Sequence, residues 1–284
     1  MIWQTSRFTI DLSRPRVMGI VNATPDSFSD GGLYYSPDDG LASVLAYCDK
    51  LVLQGADLLD IGGESTRPGA VPVPLAEELA RVLPVVRHAV TLGVPVSVDT
   101  YKPEVMQAVL DLGADIVNDV WALRQPGALA VVAAHPRCGV CLMHMHREPK
   151  TMQVSPMQGD VVAQVGSFLF QAARRLEASG VEKNRIVLDP GVGFGKTVAQ
   201  NFALLARQRE LLTAHYPLLA GWSRKSSLAA VCAAPSAGGV PSMDWRMVPS
   251  VAAALLAVER GARIVRVHDV WETVQALQVW SLAE

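Results

Sequence analysis

The feature that most constrains this chain is a unit that recurs along it: an apolar strand, a polar loop and an amphipathic helix. Eight such units follow one another at intervals of about 33 residues, a pattern typical of a closed (β/α)8 barrel. The predicted strands cover residues 17–21, 57–61, 94–98, 115–117, 139–143, 185–188, 217–220 and 263–267. We therefore predict an α/β protein, a single TIM barrel over residues 1–284, with its ligand site at the C-terminal ends of the strands.

A doubly wound open sheet is the alternative architecture for this alternation. Such a sheet binds its ligand at one point where the strand order reverses, so functional loops concentrate there. In this chain polar loops follow all eight predicted strands, which favours the closed barrel. Two segments fall outside the repeat. Residues 1–16 are predicted to form an N-terminal extension, and residues 233–249 a flexible insertion.

Composition narrows the class of protein. Half of the 284 residues are apolar, yet no run reaches the ~20 apolar residues that a membrane-spanning helix needs. The first ten residues lack the apolar segment of a signal peptide. A net charge of −2 gives no electrostatic case for binding nucleic acid or a membrane surface. Four cysteines without a framework spacing are typical of a reducing compartment, so we expect a cytoplasmic protein.

Polar side chains stand at or just after the ends of the predicted strands. In chain order they include Asn22, Asp99, Asn118, His144, Asp189, Lys225, Arg266 and His268. Because parallel strands of a barrel end on one face, we expect these side chains to surround one pocket. Each follows an apolar strand, so a carboxylate among them is costly unless a partner hydrogen-bonds to it.

The order of these side chains divides the predicted pocket into two halves. Two carboxylates and an amide, Asp99, Asp189 and Asn118, suit a planar heterocycle that offers several N–H donors. The cations Lys225 and Arg266, followed by His268, suit an anion such as phosphate near the last two strands. The residues therefore predict a ligand with an amino-heterocycle at one end and phosphate at the other.

Two segments are similar to functional motifs, a nucleotide phosphate loop and a metal site, but the sequence argues against both. The sequence GVGFGKT at 191–197 is similar to a nucleotide phosphate loop, but the Walker spacing needs a glycine where the chain has Pro190. We expect these glycines to form a tight turn that exposes Phe194 to the ligand. Cys138 and Cys141 have the spacing of metal ligands, yet side chains three apart on a strand face opposite sides. We interpret both as buried apolar residues.

Asp119 and Asp269 each stand beside a predicted ligand residue. Either could be a helix N-cap or a member of the site, and the sequence leaves both alternatives open.

Seven segments, in the same order along the chain, resemble the motifs of the dihydropteroate synthase family of pterin-binding enzymes. They are residues 17–32, 60–69, 97–100, 118–120, 188–196, 223–226 and 266–269. The first reads VMGIVNATPDSFSDGG and the second DIGGESTRPG, and together the segments extend over essentially the whole chain. Ala23 stands where the family commonly has Val, and Pro249 where a Gly often precedes the helix serine.

The resemblance implies condensation of a dihydropterin methyl diphosphate with 4-aminobenzoate, with release of diphosphate. It implies that Asn22 is a ligand of Mg²⁺, and that the protein is a homodimer. The remaining implied roles are pterin binding by Asp99, Asn118, Asp189 and Lys225; diphosphate binding by Thr66, Arg266 and His268; and an aminobenzoate subsite of Arg67, Pro68, Phe194, Lys225 and Ser226. Lys225, Arg67 and Asp99 are the implied catalytic residues.

Two alternatives remain beside this interpretation. One is a methyltetrahydrofolate-binding methyltransferase domain, which shares the pterin-binding barrel; the other is a non-catalytic pterin-binding paralogue. The groups at 223–226 and 266–268 favour the diphosphate-bearing substrate. We also expect the loop that contains Phe28 and Asp30 to close over the reacting carbon together with the loop at 66–68.

Overall fold

The strands form a short N-terminal hairpin and a parallel barrel. The structure is a computed structural model that describes residues 1–24, 40–65, 69–148, 151–152, 154–232 and 243–283. Its strands are β1 Ile2–Gln4, β2 Thr9–Asp11, β3 Arg16–Asn22, β4 Leu58–Gly62, β5 Val96–Asp99, β6 Ile116–Asp119, β7 Gly139–Met143, β8 Ile186–Asp189, β9 Leu218–Ala220 and β10 Ala262–Val267. Strands β3 to β10 pair in parallel, and β10 closes the barrel against β3, as predicted.

Helices follow the barrel strands as the repeat predicts. They are α1 Gly40–Leu53, α2 Leu75–Ala89, α3 Pro103–Asp111, α4 Ala128–Ala134, α5 Val161–Ala178, α6 Val198–Ala206, α7 Ser226–Cys232, α8 Met247–Glu259 and α9 Val270–Ser281. The sequence predicts one helix from about 199 to 213, whereas in the structure α6 ends at Ala206 and a 3-10 helix, Gln208–Ala214, continues the chain. The Gln208 side chain donates to the Ala257 carbonyl (2.8 Å), which ties this turn to α8.

Alternation along each strand sorts side chains into two shells. In β4, Leu58 points into the barrel, whereas Leu59 and Ile61 pack against the helices outside. Asp60 shares the inward direction of Leu58 because side chains two apart lie on one face of a strand. The interior thus begins as an apolar layer and becomes polar towards the C-terminal ends of the strands.

The N-terminal extension is an ordered hairpin that plugs the other end of the barrel. β1 and β2 pair antiparallel, and Trp3 joins the apolar interior layer. The Trp3 indole N–H donates to the Arg185 carbonyl (2.9 Å), just before β8. Arg7 pairs with the buried carboxylate of Asp115, just before β6 (2.6 Å). The barrel is therefore closed below, and ligand access is left to its C-terminal face.

Three predicted segments lie wholly or partly outside the described residues. They are the loop at 25–32 with Phe28 and Asp30, the residues Thr66, Arg67 and Pro68, and residues 233–242 of the predicted insertion. The rest of that insertion is helical, with a 3-10 helix at Met243–Arg246 and then the start of α8. Within the described ranges, no helix combines the length and apolarity that crossing a membrane requires.

Candidate active site

The predicted strand-end residues do lie at the C-terminal ends of the barrel strands. Asn22, Asp99 and Asp189 are the last residues of β3, β5 and β8. Asn118 precedes the last residue of β6, and Arg266 that of β10. These five positions surround the polar end of the barrel interior.

The centre of the site is a cluster around Arg266, in which Asp60 and Asn118 are buried and Arg266 and Asp99 are partly exposed. Its Nε donates to Asp60 Oδ2 (2.5 Å), and its Nη2 donates to Asp99 Oδ2 (2.9 Å). Asn118 Nδ2 also donates to Asp60 Oδ2 (3.1 Å). One cation, two carboxylates and one amide thus form a connected network at the polar end of the barrel interior.

The two carboxylates of this cluster each keep one oxygen without a donor. Asp60 Oδ1 and Asp99 Oδ1 are buried and have no hydrogen-bond partner among the described residues. A buried acceptor without a donor costs free energy, so a ligand that brings an N–H group to Asp99, the partly exposed carboxylate at the end of β5, is favoured.

Burial also perturbs the titration of Asp99. Removal from water raises the pKa of this carboxyl group to about 7, and nearby Asp60 adds to the rise. Arg266 opposes both effects because a neighbouring cation stabilises the carboxylate. Asp99 is therefore poised to change its protonation state near neutral pH.

Asp189 lies at the end of β8 and is fixed by the loop that follows. Its Oδ1 accepts the N–H of Gly191 (2.7 Å). Burial raises the pKa of Asp189, while Gly191, Lys225 and Arg266 counteract the rise. Gly191 has φ of +67°, and a Cβ there would stand 1.9 Å from the His144 carbonyl oxygen, so the turn requires glycine.

The aminobenzoate side of the prediction is partly described. The Lys225 Nζ lies 4.4 Å from the centre of the Phe194 ring, a cation–π contact. Ser226, the next residue, is exposed and begins α7. Phe194 is 8% exposed and is therefore more buried than the sequence analysis expected, whereas Thr66, Arg67 and Pro68 lie outside the described residues.

His268 is held beside β10 by a serine of the 223–226 segment. The Ser223 hydroxyl and His268 Nδ1 are 2.9 Å apart, and the backbone N–H of His268 donates to the same hydroxyl (3.1 Å). Arg224 pairs with Asp269 (2.7 Å), which makes no side-chain cap to α9. Asp119, in contrast, accepts the backbone N–H of Leu123 (2.7 Å) and so stabilises its own turn.

The GVGFGKT segment is a structural turn, with its lysine directed inward. Lys196 Nζ donates to the carbonyls of Gly191 (2.8 Å), Phe194 (3.2 Å) and His144 (3.3 Å). Lys196 is 2% exposed, and burial lowers its pKa to about 7. This lysine is committed to loop carbonyls, which agrees with the rejection of a phosphate loop.

His144 is buried directly after the end of β7, on the side of α5. Its Nδ1 lies 2.9 Å from Lys196 Nζ, and its ring packs edge-on against Phe168. Burial lowers the pKa of His144 to about 2, so the ring is neutral. Cys138 packs outside the barrel and Cys141 inside it, on opposite faces as predicted.

Asn22 provides the only feature of the described residues that we connect with a metal. No described residue hydrogen-bonds to its side chain, which leaves the amide oxygen available. Over the same part of the chain, no group of three His, Cys, Asp or Glu could hold a metal ion. This single neutral oxygen fits a Mg²⁺ ion that takes most of its ligands from substrate phosphates and water.

Asp60 is the functional-site residue that the sequence analysis missed. It begins the segment at 60–69, but it lies inside an apolar strand, where position indicates only a strand residue. The sequence did contain one signal for it. Burying a carboxylate within a strand costs free energy unless a charged or hydrogen-bonding partner lies beside it. That partner is Arg266, 206 residues away in the chain.

Comparison of the sequence with known proteins identifies a family model and close relatives that match the chain. The family model for "Pterin binding enzyme" matches residues 18–268. The chain is 47% identical to dihydropteroate synthase of Neisseria meningitidis serogroup B over 283 residues, 98% of this chain and 96% of the relative.

Solved structures give the same result. Burkholderia cenocepacia dihydropteroate synthase, complexed with 7,8-dihydropteroate, has a TM-score of 0.87 and 50% identity, covering 99% of this chain and 96% of that chain. The Xanthomonas albilineans enzyme with 4-aminobenzoic acid has a TM-score of 0.86 and 48% identity, covering 97% and 95%.

Proposed function

We propose roles for the site residues from the premise that this chain belongs to the dihydropteroate synthase family of pterin-binding enzymes. It is a transferase of folate biosynthesis that condenses (7,8-dihydropterin-6-yl)methyl diphosphate with 4-aminobenzoate. The products are 7,8-dihydropteroate and diphosphate. Near-full-length similarity to dihydropteroate synthases favours this activity over a methyltetrahydrofolate-binding methyltransferase and over a non-catalytic paralogue.

The pterin is bound at the floor of the pocket by Asp99, Asn118, Asp189 and Lys225. The observation that supports this assignment is the buried Asp99 Oδ1, which lacks a donor among the described residues. A ring N–H of the pterin supplies that donor, and the Arg266 bond to the other oxygen keeps the carboxylate aimed. Several such directed acceptors recognise the donor pattern of the heterocycle.

The diphosphate is bound on the side of β10 by Arg266 and His268, with Thr66. As the bond from the methylene carbon to oxygen breaks, negative charge develops on the leaving diphosphate. Arg266 stabilises that charge, and Ser223 keeps the His268 ring in place for the same purpose. When bound by Asn22, Mg²⁺ supplies further stabilisation of the diphosphate charge.

The second substrate attacks the carbon without a protein nucleophile. The carbon becomes electron-poor as diphosphate leaves, and the electron-rich pterin spreads this positive charge. The arylamine nitrogen of 4-aminobenzoate then forms the new bond and releases a proton. We propose that Phe194, Lys225, Ser226, Arg67 and Pro68 hold the aminobenzoate in line with the carbon.

Calorimetry with the pterin diphosphate tests the pterin assignment. We expect Lys225→Ala and Asp189→Ala to weaken its binding strongly, because each removes a charged group from the pocket. Lys183→Ala serves as the matched control, since this exposed lysine lies before β8, at the opposite end of the barrel. Near-normal affinity of both site variants would rule out the assignment.

The Mg²⁺ role of Asn22 is tested by diphosphate release at varied metal concentration. Asn22→Ala should require more Mg²⁺ for half-maximal rate, because one ligand of the ion is lost. An unchanged Mg²⁺ requirement would remove Asn22 from the metal site.

A homodimer and a cytoplasmic location complete the proposal. Large apolar side chains are exposed on α8 and α9, among them Val248, Trp271 and Val279, and such surfaces favour association. Sedimentation of the wild type against Val248→Asp tests the dimer.

All four cysteines are free thiols, which supports a reducing compartment, and cell fractionation checks that location.

A further inference from the structure

We propose that Asp60 is a positioning residue: it orients Arg266 and Asn118 for the pterin diphosphate without contacting the substrate. The inference rests on the proposed function, which assigns Asn118 to the pterin and Arg266 to the diphosphate. Asp60 would then couple the two halves of one substrate site from beneath.

The geometry of Oδ2 carries the inference. This single oxygen accepts from Arg266 Nε (2.5 Å) and from Asn118 Nδ2 (3.1 Å). Arg266 and Asn118 belong to β10 and β6, and Asp60 lies on β4, so one carboxylate joins three strands. No other described side chain bonds to both residues.

Asp60 determines the rotation of the Arg266 guanidinium. The planar group has two anchored nitrogens, Nε on Asp60 and Nη2 on Asp99. Two anchors at different corners of a rigid plane fix its orientation, whereas one anchor leaves a pivot. Loss of Asp60 would leave Arg266 paired with Asp99 alone and free to turn away from the phosphate.

Asp60 also determines which way the Asn118 amide points. A carboxylate can only accept, so it selects the NH₂ end of the amide. The carbonyl end of Asn118 is thereby directed away from Asp60 and remains the acceptor for a ring N–H of the pterin. Asn118 is 4% exposed, so this orientation is held in a largely dry environment, where a mismatched amide is costly.

Asp60 itself is fully buried, at 0% exposure. A residue that binds a ligand directly presents part of its surface to the pocket, and Asp60 does not. Its Oδ1 has no donor among the described residues. An asparagine there can therefore keep both Oδ2 bonds and place its NH₂ where Oδ1 stands. Asp60→Asn removes the charge with little change in shape, and Asp60→Leu removes the acceptor as well.

Steady-state kinetics with each substrate varied separately tests the proposal. We expect Asp60→Leu to raise KM for the pterin diphosphate at least about tenfold, because a buried charged partner is lost, while KM for 4-aminobenzoate stays within about twofold. Asp60→Asn should show the same selectivity with a smaller change. In an Asn118→Ala background, Asp60→Leu should add less than it does alone, since the two act through one contact.

Asp115→Asn is the matched control. Asp115 is a second fully buried carboxylate paired with an arginine, but it lies before β6, at the opposite end of the barrel. It should lower the melting temperature and leave both KM values unchanged.

The failure of the proposed function and that of the positioning role are distinguishable. Normal binding of pterin diphosphate by Asn118→Ala would overturn the proposed pterin assignment. Suppose instead that Asn118→Ala binds the pterin diphosphate weakly. The positioning role alone would then be overturned if the Asp60 variants change neither KM value, or if they change the KM for the pterin diphosphate and the KM for 4-aminobenzoate equally. If Asp60→Leu does not fold, a KM for the pterin diphosphate unchanged in Asp60→Asn would likewise overturn it.

Discussion

Asp99 shows how one residue can combine recognition with pH sensitivity. Burial raises its pKa to about 7, and Arg266 limits that rise. In the proposed pterin site the carboxylate form would accept an N–H from the ligand through Oδ1, whereas the protonated form would lose much of this capacity. Ligand affinity should therefore follow the protonation of a single side chain.

We predict that affinity for the pterin diphosphate falls as the pH drops through about 7. The sign follows because protonation removes the negative acceptor below the pKa. Calorimetry from about pH 6 to about pH 8.5, a range that brackets this pKa, measures the effect. Asp99→Asn should bind more weakly and lose this component of the pH dependence; an equal slope in the variant would assign the titration to another group.

At the same scale, the sequence predicted Asp99, Asn118 and Asp189 because polar residues at the ends of barrel strands lie where such a fold binds its ligand. Asp60 was missed because it lies within a strand, where position alone indicates core. Its partner Arg266 was assigned to phosphate, and the structure adds that two carboxylates hold it. Such pairings depend on strands that are distant in the chain.

At the scale of elements, the β8–α6 loop is the best example of a locally built feature. Three of its glycines have positive φ, and Thr197 forms a capping box with Gln200 at the start of α6. Lys196 then ties the loop to β7 through the His144 carbonyl. The turn was predictable, but the inward direction of Lys196 was not, because it depends on packing against β7.

We predict that Lys196→Met destabilises this loop. Three carbonyl oxygens would lose their shared donor, at a cost of about 1–3 kcal/mol for a buried unsatisfied group. Urea denaturation should show this loss, and KM for 4-aminobenzoate should rise because Phe194 belongs to the same loop. Lys183→Met is the control, since that exposed lysine donates to one carbonyl only. Equal changes in both variants would contradict a special role for Lys196.

At the scale of the whole molecule, the N-terminal hairpin completes the barrel. Residues 1–16 were predicted only as an extension, because their strands are too short to stand out from the repeat. In the structure, Trp3 is fully buried at the N-terminal end of the barrel and bonds to the Arg185 carbonyl. The hairpin therefore contributes to the core but lies far from the pocket.

We predict that Trp3→Ala lowers the free energy of unfolding by about 3–5 kcal/mol, the usual loss for a buried Trp. Both KM values should stay unchanged in the protein that remains folded, because the plug and the pocket occupy opposite ends. Trp245→Ala is the matched control, as its side chain is 57% exposed. A change in substrate KM for Trp3→Ala would show that the two ends are coupled.

The sequence by itself determined the alternation of strands and helices, the positions of the strand ends, and the seven segments that carry the family resemblance. These are local properties, set by side-chain periodicity, turn chemistry and the residues that follow each strand. Only the tertiary structure decided which buried charges meet. When the barrel closes, β10 pairs with β3, and β3 pairs in turn with β4. Arg266 on β10 therefore comes into contact with Asp60 on β4, although the two residues are 206 positions apart in the chain. No local pattern encodes that contact, because the partner of a buried charge depends on which distant strands become neighbours.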